Sequence, residues 1–156
     1  MASSSSDSLT VGLISDTHGL LRPQAVEALR NVQRIIHAGD IGGPEILASL
    51  GAIAPVNAVR GNNDQGDWAA RLPEELTLNI AGVDVHVLHD VKSLRLPPGV
   101  RVVIAGHSHK PSVSDREGVL YVNPGSAGPR RFKLPVAIAY LRIVSGSATA
   151  EIHHIL

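Results

Sequence analysis

The sequence predicts an α/β domain with two sheets and helices on the outside. Three observations predict it. Short runs rich in Val and Ile stop abruptly at Gly or Asp. Apolar residues recur at helical spacing between the first three runs. In the second half, Gly-containing turns replace the helices.

Residues 9–15 read as the first strand, with 34–38 and 53–59 as the next two. Between them, 23–32 opens on Pro23, suited to a first helical turn, and carries Ala25, Leu29 and Val32 on one face. The segment 44–50 repeats the scheme from Pro44. Strand and helix in alternation imply a parallel sheet. Further on, 74–80 and 83–89 flank Ala81-Gly82 as a hairpin, and 100–105 is a further apolar run. The runs 119–123, 136–145 and 148–156 are separated by Pro-Gly or Ser-Gly turns, so pairing here is mostly antiparallel. There is no linker and no internal repeat, which leaves one domain over 9–156 behind a Ser-rich tail at 1–8.

A chain of 156 residues that is 44% hydrophobic and 18% charged can bury a substantial core. Its formal net charge is zero, and Arg130, Arg131 and Lys133 form the sole basic cluster, which argues against a nucleic-acid polymer as partner. Cysteine is absent, excluding disulfides, thiolate metal sites and a cysteine nucleophile. The tail lacks the basic start and apolar stretch of a secretory signal, and Arg142 breaks the longest apolar run. A soluble, cytoplasmic protein with no membrane contact is expected.

Function is carried by five polar signatures in fixed order, each placed where an apolar run stops: Asp16-Thr17-His18, Gly39-Asp40, Gly61-Asn62-Asn63-Asp64, Leu88-His89 and Gly106-His107-Ser108-His109. Each by itself is also what a turn uses. Jointly they place carboxylates, an amide and imidazoles at the carboxyl ends of strands, where ligands of α/β sheets collect. Two imidazoles one residue apart after 102–104 point to an ion, and His89 falls on the inward side shared with Val83, Val85 and Val87. His86 faces the other way, and His153 and His154 lie in the last strand; none of the three is assigned chemistry. His37 is read as core packing.

Taken in order, these residues resemble the calcineurin-like metallophosphoesterase superfamily. Gly106-His107-Ser108-His109-Lys110-Pro111 and Asn123-Pro124-Gly125-Ser126 are similar to its short single-domain phosphodiesterases. The resemblance implies a four-layer α-β-β-α sandwich with two mixed sheets and a dinuclear centre at the strand edge. It places Asp16, His18, Asp40 and His109 on one ion and Asp40, Asn62, His89 and His107 on the other, with Asp40 as the bridge. The implied cofactors are two divalent transition-metal ions, manganese first, with iron, zinc, cobalt or nickel also acceptable to oxygen and imidazole donors. The implied reaction is phosphodiester or phosphoester hydrolysis by a hydroxide shared between the ions. Two divalent ions against two carboxylates and one hydroxide leave about one positive charge, suited to a small phosphate ester. Asp64 and the loop 123–126 would support the ligands from behind, and Arg130 or Arg131 would reach substrate phosphate or lie solvated.

Two positions depart from the pattern. Where the superfamily has a His or Cys after its ligand Asn, this chain has Asn63, and an amide cannot act as a general acid; His18 is the alternative proton donor. Where the superfamily has Gly after its strand-end His, this chain has Asp90, so the loop holding His89 is expected to differ in shape. The small subunit of the retromer sorting complex shares the implied fold and works as a protein-binding scaffold, which is the alternative function. Trp68 is a candidate anchor for a homo-oligomer. A metallo-β-lactamase pattern is excluded because His109 runs into Lys110-Pro111, and an amidohydrolase barrel needs a longer chain.

Overall fold

The computed structural model describes residues 8–131 and 133–156. The tail expected over 1–8 lies outside the described residues apart from Ser8, which opens β1 (Ser8–Ile14) by pairing with Val144. After β1 come α1 (Pro23–Ala28), β2 (Arg34–His37), α2 (Pro44–Gly51) and β3 (Val56–Ala58), with β1, β2 and β3 parallel. Helix α1 stops at Ala28, short of the expected Val32, although Leu29 and Val32 remain buried. Apolar spacing correctly predicted which side chains face inward; Leu29–Asn31 continue as a turn, and Asn31 and Val32 are both weak helix formers. Strand β3 starts late because Ile53 and Ala54 still bond back to Leu50 and Pro55 has no amide hydrogen to donate.

The second half contains α3 (Asp67–Ala70), β4 (Glu75–Ile80), β5 (Val83–Leu88), a 3-10 turn at Val91–Ser93, β6 (Val102–Ile104), β7 (Ser112–Arg116), β8 (Val119–Asn123), β9 (Ala137–Val144) and β10 (Ser147–His154). One sheet has the order β10-β9-β1-β2-β3 and the other β4-β5-β6-β8-β7. Both are mixed. The pairs β4-β5, β7-β8 and β9-β10 are antiparallel, whereas β5, β6 and β8 run parallel. Among the described residues the three hairpins turn on X-Gly pairs with positive φ at both residues: Ala81-Gly82, Glu117-Gly118 and Ser145-Gly146. Strand β7 was not legible in sequence because Ser112–Arg116 is polar and mostly exposed, an edge strand held by pairing with β8.

The layers follow from the buried faces. Ala25, Leu29, Ile46 and Leu50 of the helical segments pack on Ile14, Ile35 and Ile138 of the first sheet, where Trp68 of α3 also lodges. Between the sheets, Val11, Leu13 and Ile36 meet Val85, Val87, Val102 and Ile104. On the far side of the second sheet, Leu88, Val100 and Val103 are covered by Leu94, just past the 3-10 turn, so that outer layer is thin. Burying each such side chain stabilises the fold by about 1.5–3 kcal/mol. The consequence for the site is geometric: β1, β2, β5 and β6 end close together, and their polar continuations meet between the sheets.

Candidate metal centre

Each strand exit turns sharply. Asp16, His18, Asp40, His107 and His109 all have positive φ, between 47° and 72°. Non-glycine residues rarely adopt this conformation, and it persists only where surroundings over-determine it. Here those surroundings are backbone: Asp16 N donates to Gly39 O at 3.0 Å, His18 N to Asp40 O at 2.9 Å, and Gly106 N to His89 O at 2.9 Å. The loops touch so closely that a Cβ on Gly61 would fall 2.2 Å from Asp40 N, and one on Gly106 would fall 2.0 Å from Ser15 Oγ.

Five side chains converge. His109 Nε2 lies 3.3 Å from Asp16 Oδ1 and 3.4 Å from His18 Nε2, while His89 Nε2 lies 3.2 Å from Asp40 Oδ2 and 3.9 Å from Asp16 Oδ1. His18 Nε2 stands 3.8 Å from Asp16 Oδ1 and 3.7 Å from Asp40 Oδ2. The set forms two overlapping groups, Asp16 with His18 and His109, and Asp16 with Asp40 and His89. His107 and Asn62 stand farther out. His107 is half-exposed, its ring edge-on to His89 at 5.2 Å between centroids, and Asn62 is exposed on the wall of the same cleft.

The donor set fits divalent cations. Among the described residues three buried side-chain atoms lack a hydrogen-bond partner, His109 Nδ1, Asp16 Oδ1 and His89 Nε2; the last two form a costly arrangement unless something electropositive sits between them. Their other atoms are already committed. Asp16 Oδ2 accepts from Ser15 Oγ at 2.7 Å and His107 N at 3.1 Å. His89 Nδ1 meets Ala38 O at 2.7 Å; a carbonyl only accepts, so Nδ1 carries the hydrogen and the neutral ring's lone pair is on Nε2, facing Asp40.

The electrostatics are mixed: Asp40 and His109 are biased toward the deprotonated forms that ligate a cation, Asp16 and His89 toward holding their protons. Burial raises the Asp16 carboxyl above its ordinary value, against the pull of Ser15 and His89. For Asp40, burial acts in the same sense, but the approach of His89 and hydrogen bonds from Asn63 outweigh it and hold the carboxyl well below the usual range. Burial works to lower His89, yet Asp40, Ala38 O and Asp16 raise it. His109 is lowered by burial, with the Arg131 cation contributing in the same direction against Asp16. Arg131 therefore stands near enough to be felt at the centre, whereas Arg130 Nε donates to Leu134 O.

Supporting residues are unusually well bonded. Asp64 accepts from Ile41 N, Gly42 N and Gly61 N at 2.9–3.1 Å, tying the Asp40 loop to the Asn62 turn. Asn123 Nδ2 donates to Gly106 O and Ser108 Oγ, and Ser126 Oγ donates to Asp16 O, so the 123–126 loop braces two strand exits at once. His37 does more than pack. Gly39 N donates to its Nδ1, which puts the hydrogen on Nε2; that hydrogen goes to Thr17 Oγ1, which in turn donates to Ile41 O. Burial, reinforced by His89, accordingly pushes His37 down to about 3. His86 sits outside the centre between Thr77 and Glu75.

A family model described as the calcineurin-like phosphoesterase superfamily domain matches residues 9–146. The chain belongs to this superfamily. A probable metallophosphoesterase of Methanothermobacter thermautotrophicus is 36% identical, over 92% of this chain and 91% of its own. A structurally characterised archaeal phosphodiesterase superposes with a TM-score of 0.76 at 22% identity, covering 93% of this chain and 100% of its own. Vps29 of Entamoeba histolytica, solved in complex with zinc, superposes at 0.69 and 22% identity, over 95% of this chain and 100% of its own. These likenesses match the superfamily fold of two mixed sheets with few helices.

Two features of this superfamily member went unread in the sequence. Ser15 hydrogen-bonds Asp16, and a hydroxyl just before a strand-end carboxylate was the available signal. Arg60 and Glu74 pair at 3.1 Å on the wall of a cleft of about 290 Å³ that also contains Asn62, His89 and His107. Asp90 has φ −116° and ψ 113°, an extended conformation open to any residue, so that position has no need of glycine.

Proposed function

We propose that the protein is a metal-dependent phosphodiesterase working with two divalent ions. The observation that carries the reading is that Asp16 Oδ1 and His89 Nε2, buried and without a hydrogen-bond partner among the described residues, stand 3.9 Å apart within a ring of His18, Asp40 and His109. Asp16, His18, Asp40 and His109 would hold one ion and Asp40, Asn62, His89 and His107 the other. When bound, such ions supply Lewis acidity and a hydroxide nucleophile at neutral pH, manganese being the first candidate. The chain's own part is positional. Asn63 holds both oxygens of Asp40, Asp64 and His37 lock the loops, and the cleft beside His89 and His107 receives the ester group that leaves or stays. Arg131 would add positive charge near His109.

The likeness to an archaeal phosphodiesterase supports the diester preference, and the likeness to Vps29 favours a second reading, a metal-binding scaffold for a protein partner. Elemental analysis after reloading a chelated sample, followed by a panel of phosphate esters with and without manganese, separates them. Two ions per chain with diester hydrolysis is the expected result. Two ions with no hydrolysis of any ester moves the assignment to the scaffold, and no bound metal overturns both. Saturation at a hundred times the dissociation constant adds roughly 2.7 kcal/mol, a rise of about 5–11 °C in melting temperature for a chain of this size.

A further inference from the structure

We propose that Asp90 is a positioning residue that orients the His107 imidazole toward the second ion, an assignment that rests on the two-ion reading above. His107 is the loose member of the set: its side chain is 44% exposed, and its ring needs a restraint that its neighbours do not. His89 is pinned through Nδ1 by Ala38 O, and the His107 backbone is pinned by its N–H to Asp16 Oδ2. The His107 ring has a different neighbour. Its Nε2 faces Asp90 Oδ2 at 3.8 Å, ion-pair range and a small rotation from a hydrogen bond.

Asp90 is itself held. Its Oδ1 accepts from Lys92 N at 3.1 Å, capping the 3-10 turn at Val91–Ser93, which leaves Oδ2 free to face His107. One carboxylate thus performs two tasks with two oxygens, each aimed at its own partner. An ionised carboxylate only accepts, so closing this contact puts the ring hydrogen on Nε2 and the lone pair on Nδ1. A carboxylate behind a ligating imidazole fixes tautomer and orientation and strengthens the donor; removing it typically costs 10–100-fold in metal affinity.

The two tasks can be separated. Asp90→Ser keeps a capping oxygen for Lys92 N and removes the oxygen that faces His107, while Asp90→Asn keeps the size and removes the charge. Calorimetric titration of the chelated protein with Mn²⁺ or Zn²⁺ is expected to show the second ion bound 10–100-fold more weakly in both variants, with the first unchanged. In ¹⁵N-labelled, Zn²⁺-loaded wild type, long-range ¹H–¹⁵N spectra should show His107 protonated on Nε2. Unchanged second-ion affinity in both variants, equal weakening of both ions, or zinc on Nε2 each overturns the role of Asp90 while leaving the two-ion reading standing. A wild type that binds fewer than two ions overturns both together.

Discussion

Asn63 donates to both oxygens of Asp40, its backbone amide to Oδ1 at 2.9 Å and its side-chain amide to Oδ2 at 3.1 Å. The residue that lacks a transferable proton therefore has a different task, holding the carboxylate proposed to bridge two ions. Asn63→Ala should lower kcat/KM by roughly 10- to 100-fold, in line with losing one hydrogen bond to a charged group. With no acid at this position, aryl diesters should far outrun alkyl ones. Asn63→His should help alkyl esters more than aryl esters, by up to about 10²-fold. A leaving-group series on both proteins checks this, and a flat wild-type profile would point to His18 as the acid.

Asp40→Asn should remove activity and both ions while preserving the fold. Asp40 has φ 56°, a conformation Asn adopts readily, so the substitution changes charge without straining the loop. Metal analysis should show a loss beyond the 10–100-fold typical of outer partners. His86→Ala is the control: it sits with Thr77 and Glu75, and its loss should spare metal binding. Circular dichroism of both variants verifies folding.

Asp64→Ala should be the most destabilising change near the centre. It strands the buried amides of Ile41 and Gly61, at about 1–3 kcal/mol each when unsatisfied, and frees the part-buried amide of Gly42 to solvent, so urea unfolding should report a loss of about 2–6 kcal/mol. Asp64→Asn retains one acceptor and should fall between. A loss below about 1 kcal/mol in Asp64→Ala would mean the loops hold without it.

The His37 tautomer makes a pH prediction for the chelated protein. Its value falls from 6.5 to about 3 on folding, so below 6.5 the unfolded chain binds the extra proton. Stability from this group is full above 6.5 and declines as pH drops toward 3, by at most about 1.4 kcal/mol per unit. His37→Gln, which keeps one donor and one acceptor, should flatten that part of the curve in melting measurements between these limits. An unchanged slope would assign the acid sensitivity to other groups.

The residues that belong together were legible in the sequence because two local rules apply to them. Apolar runs end where the sheet ends, and the polar residues just past them, Asp16, Asp40, His89 and His109, must lie along one edge if the strands are parallel. Period-two alternation likewise sent His86 away from the centre. Helix length and the edge strand Ser112–Arg116 were not legible, since short helices and polar edges are decided by what packs or pairs with them. The tertiary structure alone decided how each group is held. Which ring nitrogen of His89 is free depends on Ala38, 51 residues away in sequence; Asp64 finds two of its three partners 22 and 23 residues back; and Asp90 meets His107 only because β5 and β6 are neighbours. Local sequence sets which chemistry is available at each strand end, but hydrogen-bond direction depends on atoms from distant loops, and only their packing brings those atoms within reach.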